Sequence, residues 1–248
     1  MKRFITVLML LLLSFSAIAE GRLTVPESCL QLIVVTSSSW DSTTARLQRY
    51  ERDSRDSQWE KYGTGIEVNL GRTGLAWGES PLMSGITPPK GAQLKREGDG
   101  RAPAGLFPIL SAFGHPTPPK GYTDRNLPFL TVTDEQAVDD VESPYYNRIV
   151  KPSEVGGVSW KSAETMKIDL YKLGLVVGHN YPNPKPGHGS CIFFHYQSGP
   201  GQPTAGCTSM EGKELRALAI WLKRDRDPHV LQLPSSEYAK LGSSFPTK

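Results

Sequence analysis

Glycine and proline recur along the whole chain, 24 and 20 times in 248 residues, and cut it into short segments. Proline breaks a helix interior by removing a donor, and glycine loosens one by its backbone freedom. Long helices are therefore excluded, and short strands joined by turns are favoured. One stretch escapes the cutting. Between Glu211 and Arg224, the residues Leu215, Leu218, Ala219 and Leu222 recur at helical spacing, which predicts an amphipathic helix. Hydrophobic residues make up 38% of the chain and include five tryptophans, so a core can form and a wholly disordered chain is excluded. The 28 basic and 25 acidic residues leave a formal charge of +3, too balanced for a basic nucleic-acid binder, and no nucleic-acid partner is expected. The expected fold class is mainly β.

The N-terminus reads as a targeting segment. Met1-Lys2-Arg3 is basic, Phe4 to Ile18 is apolar, and Ala17-Ile18-Ala19 is a small-x-small cleavage signal. A membrane span needs about 20 apolar residues, so this run is short for an anchor. Residues 1–19 are expected to be a signal peptide cleaved near Ala19, with no stable membrane anchor and a periplasmic or secreted product. Residues 20–234 read as a single domain and 235–248 as a C-terminal tail. Three cysteines follow the leader: Cys29, Cys191 and Cys207. An odd count in an oxidising compartment predicts one bridge and one free thiol.

Short apolar runs place the strands. Gln31–Thr36, Ile66–Leu70, Leu106–Phe113, Leu175–Asn180, Cys191–Tyr196 and His229–Leu233 are strand-like. Asp41–Arg52 has weak helical spacing, and Ser162–Leu173 is expected to be a short helix stopping at Gly174. Gly71–Gly100 reads as mostly loop, and acidic Val132–Val141 as exposed.

His195 ends the apolar run Ile192-Phe193-Phe194, and a loop holding Gly199, Pro200, Gly201 and Pro203 turns the chain back toward Cys207. Thr208-x-x-Glu211 matches a capping box, which predicts a helix starting directly after Cys207. A thiol at a helix N-terminus, beside an imidazole, has a lowered pKa and forms a nucleophilic thiolate. Gly206 lets the backbone approach a reacting carbonyl, and the amides of Gly206, Cys207 and Thr208 are candidate oxyanion donors.

Thr204-Ala205-Gly206-Cys207, preceded by the strand ending in His195, resembles the L,D-transpeptidase catalytic (YkuD-like) family. Gly98–Phe107, Tyr146-Asn147-Arg148 and Gly189–His195 strengthen the resemblance, which runs from about Leu30 to Leu233. It implies a β-sandwich with a helix after the catalytic cysteine and one or two further short helices. It also implies Cys207 as nucleophile, His195 as general base, and the Tyr196 backbone carbonyl as the group that orients the imidazole. The implied partners are peptidoglycan stem peptides, and no cofactor is implied. Acyl transfer would go to an amine, or to water in a carboxypeptidase-like hydrolase. The sequence departs from the more familiar Ser-His-Gly-Cys-x-Arg pattern of the family. Ala205 replaces that histidine and Ser209 that arginine, so substrate anchoring must differ.

Arg101, Arg148 and Lys161 are candidate carboxylate anchors, with Arg101 preferred for its Gly-rich loop. His179 and Thr208 are further candidate substrate contacts. Cys29, beside the first strand, and Cys191, opening the His195 strand, are the expected disulfide pair. A zinc site built from His179, His188, Cys191, His195 and Cys207 is disfavoured, because Cys191 and His195 in an extended strand would lie about 13 Å apart. A papain-like protease has the opposite order of Cys and His. The rival from another class is a non-catalytic wall-binding module.

Overall fold

A computed structural model describes residues 21–247; the expected signal peptide lies outside the described residues. Thirteen strands form among the described residues. They are β1 (Gln31–Ser37), β2 (Thr44–Glu51), β3 (Glu60–Asn69), β4 (Leu75–Trp77), β5 (Ala102–Gly114), β6 (Phe129–Thr131), β7 (Gln136–Val138), β8 (Arg148–Val150), β9 (Ala163–Thr165), β10 (Leu173–Val177), β11 (Phe193–Tyr196), β12 (Thr208–Met210) and β13 (His229–Pro234). Two short helices, α1 (Gly212–Trp221) and α2 (Ser235–Tyr238), complete them, and the fold is mainly β as expected.

The larger sheet runs β10-β11-β12-β3-β2-β1-β13-β5-β4, and β5 also pairs β10, so the sheet closes on itself. The long strand β5 makes this possible. Its first half pairs β13 and its second half pairs β10. Gly174 on β10 lies against the Phe113 ring of β5, where an added Cβ would come within 2.2 Å of that ring. The space a side chain would have filled is what lets Phe113 sit fully buried and stack edge-on with Tyr171 and Phe193. Leu32, Ile33, Leu47, Leu106, Leu175 and Phe194 are buried in the main core. A small second sheet, ordered β8-β7-β9, flanks the barrel-like one.

Four local expectations are corrected. Asp41–Arg52 contains strand β2, not a helix. A bulge between Leu47 and Arg49 shifts the alternation, so that buried Leu47 and Tyr50 stand three apart and imitate helical spacing. Ser162–Leu173 is not a helix. β7 recruits Ala163–Thr165 as a sheet partner, and only Asp169–Tyr171 forms a 3-10 turn. Val132–Val141 is not an exposed acidic run, because Ala137 and Val138 sit at the centre of the second sheet and are fully buried. Residues 235–247 pack on the core through Tyr238 and Phe245 rather than trailing as a tail. The helix α1 buries Leu215, Leu218 and Ala219, with Leu222 as its C-cap, all on the predicted face.

Asn126 caps the end of α1. Its Nδ2 donates to the carbonyls of Ala219 (3.2 Å), Ile220 (2.7 Å) and Leu222 (2.7 Å), groups that a helix end otherwise leaves unpaired. Removing this donor from a buried site costs about 1–3 kcal/mol. Asn126→Ala is therefore expected to lower the urea midpoint by that equivalent with no change in slope, and an unchanged midpoint would refute the capping role.

Candidate active site

The strands β11 and β12 run parallel, pairing Phe194 with Thr208 and His195 with Ser209. Cys207 sits one residue before β12, and its Sγ accepts a hydrogen bond from the Phe193 amide at 3.3 Å. Phe193 and His195 are two residues apart on one strand, so their side chains share a face. Both rings stack edge-on against Tyr171, with centroids 5.6 and 5.4 Å away. Tyr171 belongs to the same buried cluster as Cys207 and Phe193. Cysteine and histidine thus project from one face of adjoining strands, offset by about 7 Å along them, the rise of two residues.

The imidazole is fixed by its neighbour. His195 Nδ1 lies 2.8 Å from the Tyr196 carbonyl oxygen. A carbonyl only accepts, so Nδ1 carries the proton and Nε2 keeps a lone pair. Burial lowers the His195 pKa below 6.5, against the opposing pull of the Tyr196 carbonyl, so the ring is neutral at pH 7.

The sulfur differs from expectation. No helix begins after Cys207: Thr208–Met210 is strand, and α1 starts at Gly212 with Glu211 as its N-cap residue. The apparent capping box is a strand segment recruited into the sheet by β11. Without a helix dipole, burial dominates and pushes the Cys207 thiol up to about 12, with Glu164 adding to it. The resting group is a thiol, and its Sγ donates weakly to the Cys191 carbonyl at 3.6 Å.

Thr204 shapes the turn. Its Oγ1 accepts from the Gly206 amide (3.1 Å) and donates to the Cys207 carbonyl (2.6 Å). The Gly206 amide is therefore engaged locally, which removes it as a resting oxyanion donor. Gly206 itself is required by its backbone (φ 154°), and a Cβ there would meet the Arg101 carbonyl at 3.1 Å. A cavity of about 170 Å³ opens beside this turn. Cys191, Ala205, Gly206 and Cys207 line one side, with Arg72, Lys95, Glu97, Asp139 and Glu164 around them.

Other expected contacts lie elsewhere. The Arg101 guanidinium is spent on Asp41 Oδ1 (3.0 Å) and the Leu75 carbonyl (2.9 Å), so it is not aimed at the cavity. His179 is buried: its Nε2 donates to the His188 carbonyl, its Nδ1 accepts from the Glu79 amide, and burial drops its pKa to about 4. It holds two loops together. Thr208 is buried with its hydroxyl donating to Gln232 Oε1 at 2.9 Å. Lys161 pairs with Glu142, and Arg148 lies on β8. The expected Cys29–Cys191 bridge is not formed, and all three cysteines are free thiols. Cys29 is buried in the main core with Sγ donating to the Gln31 carbonyl, while Cys191 belongs to the second cluster, so the fold separates them.

Lys95, Arg72, Glu164 and Tyr171 escaped the sequence reading, and Thr204 entered it only as part of the Thr204–Cys207 motif. Lys95 is buried and paired with Asp99 at 2.6 Å, and Tyr171 donates to Glu164 Oε2 at 2.6 Å. Their spacing carried no signal; only Thr204, a hydroxyl two residues before a glycine, had a local turn signature.

The profile of the L,D-transpeptidase catalytic domain (YkuD) matches residues 36–231. The chain belongs to this family. With membership comes L,D-transpeptidase-type catalysis on peptidoglycan, which is an extracytoplasmic substrate. No curated protein and no solved structure matches the chain. Among the described residues, no helix is long and apolar enough to cross a membrane.

The thiol state is directly measurable. Thiol titration of the unfolded, unreduced protein is expected to find three sulfhydryls, and a count of one would restore the bridge. In the folded protein, a thiol near 12 is ionised at about one part in 10⁵ at pH 7, so alkylation of Cys207 should be slow and rise with pH well past 9. A plateau below pH 8 would contradict this.

Proposed function

We propose that the chain is an exported cysteine acyltransferase that works on peptidoglycan stem peptides through a Cys207 thioester. The observation that carries the reading is that a buried thiol and a neutral, tautomer-fixed imidazole project from one face of adjoining parallel strands. A cavity opens at the sulfur, and the chain belongs to a family with this chemistry.

The chemistry follows from the resting protonation states. The thiol is not ionised beforehand, so proton removal accompanies attack. Cys207 Sγ adds to the carbonyl of an L-centre as His195 Nε2 takes the thiol proton. The Cys207 amide, next along the turn held by Thr204, donates to the developing oxyanion. Collapse breaks the C–N bond, and the imidazolium returns its proton to the departing amine. An acceptor amine then attacks the thioester, the C–S bond breaks, and His195 moves the amine proton back to sulfur. The Tyr196 carbonyl keeps Nδ1 protonated through both halves and stabilises the imidazolium when it forms. Water in place of the amine gives the hydrolytic product from the same intermediate.

The test is incubation of the purified protein with a tetrapeptide-stem muropeptide, with and without an acceptor amine, followed by intact mass and product analysis. A thioester adduct on Cys207 and a cross-linked product are expected. Cys207→Ala should abolish both, and His195→Gln should lower turnover by at least about 100-fold. The acid limb of kcat/KM should fall with an apparent pKa below 6.5, because burial depresses His195: activity holds above that value and is lost as the ring protonates. No adduct and no product from reduced protein would favour a wall-binding module instead.

A further inference from the structure

The familiar arginine after the cysteine is replaced by Ser209, which lies buried in β12 within reach of Asn69 Nδ2 at 3.4 Å. Substrate carboxylate must be held by another group. Of the cations around the cavity, Lys95 is buried against Asp99, and Arg101 is held by Asp41 and the Leu75 carbonyl. Arg72 is different. It lines the cavity, is exposed, and has no carboxylate partner among the described residues. Its one side-chain hydrogen bond, from Nη2 to the Gly98 carbonyl, is long at 3.4 Å, so most of its five donors have no partner among the described residues.

Its backbone fixes where it points from. The Arg72 amide donates to the Thr204 carbonyl at 2.9 Å, and Thr204 is the residue that clamps Gly206 and Cys207. The turn that carries Arg72 and the turn that carries the sulfur are thus tied by one backbone hydrogen bond. The Arg72 side chain lies over Gly100, where a Cβ would come within 2.9 Å of it; glycine leaves that bed open. The cavity lining also holds Glu97, Asp139 and Glu164, whose charge disfavours a carboxylate near them. Among the lining cations Arg72 is the one without a carboxylate partner among the described residues.

We infer that Arg72 is the specificity-determining residue for the donor substrate, binding the free C-terminal carboxylate of the residue that leaves when Cys207 is acylated. This rests on the proposed acyltransfer. The leaving residue is the one after the scissile carbonyl, so its carboxylate lies about one residue spacing, near 3.8 Å, from the reacting centre. Arg72 lines the same cavity as Cys207, and a carboxylate matches the planar guanidinium in a bidentate pair.

The experiment uses the full mature chain as Cys207→Ser, which binds without turnover. Calorimetric affinities are measured for a tetrapeptide stem with a free C-terminal carboxylate and for the same peptide as its C-terminal amide. The free acid should bind more tightly. Arg72→Gln should weaken the acid by about 10- to 100-fold, to the level of the amide, and leave the amide unchanged. Arg72→Lys should keep part of the preference, and Arg55→Gln, a surface change at a residue paired with Glu27, should keep all of it. In the active enzyme the Arg72→Gln loss should appear in KM for the acid and vanish for the amide. An acid preference that survives Arg72→Gln overturns the assignment while leaving the acyltransferase reading intact. Failure of both peptides to bind Cys207→Ser overturns the acyltransferase reading, and the Arg72 role falls with it.

Discussion

Parallel pairing of β11 with β12 is the constraint on which the site depends. Parallel strands cannot be joined by a tight hairpin, so the chain must leave β11, loop over and return in the same direction. Residues 197–207 supply that return with its glycines and prolines. The consequence is chemical. A histidine late on one strand and a cysteine just before the next come to one face, and Tyr171 packs against the imidazole within the cluster that buries the sulfur. The same ladder places Thr208 and Ser209 inside the sheet, where they serve the fold and not the substrate.

Burial then decides how reactivity is organised. The thiol is held neutral by desolvation, and the imidazole is held neutral by the same effect acting in the opposite direction on a base. Two neutral groups are the cheapest occupants of a low-dielectric site. An ion pair would have to be formed there only when substrate brings charge of its own. The carbonyl of Tyr196 makes this arrangement directional by assigning the one imidazole proton to Nδ1.

The walls of the cavity come from five parts of the chain: the turn after β3, the Lys95–Gly98 loop, the second sheet, the Ser190–Ile192 segment before β11 and the Cys207 turn. The buried Lys95–Asp99 pair holds the loop on which Arg72 rests, since Asp99 also accepts from the Arg96 and Arg101 amides. An ion pair with both partners satisfied can sit inside without the penalty of an unpaired charge. Arginine, lysine and three carboxylates far apart in sequence thus meet in one polar cavity, which sequence distance alone hides.

The amino-acid sequence determined the β-rich class, the strands with uninterrupted apolar runs and the buried face of α1, because these depend on period and on where glycine and proline interrupt it. It also singled out Cys207 and His195, whose residue types and short separation carry chemistry. Tertiary structure alone decided that β2 is a bulged strand, that β7 is buried, and that Ser162–Leu173 yields a sheet edge, since each depends on a partner far along the chain. It likewise decided that Cys29 and Cys191 are apart, that Arg101 and His179 are tied into the scaffold, and that the sulfur lies beside a strand and not a helix. Burial and charge at a site are sums over neighbours that folding brings together, and no local spacing records which neighbours those are.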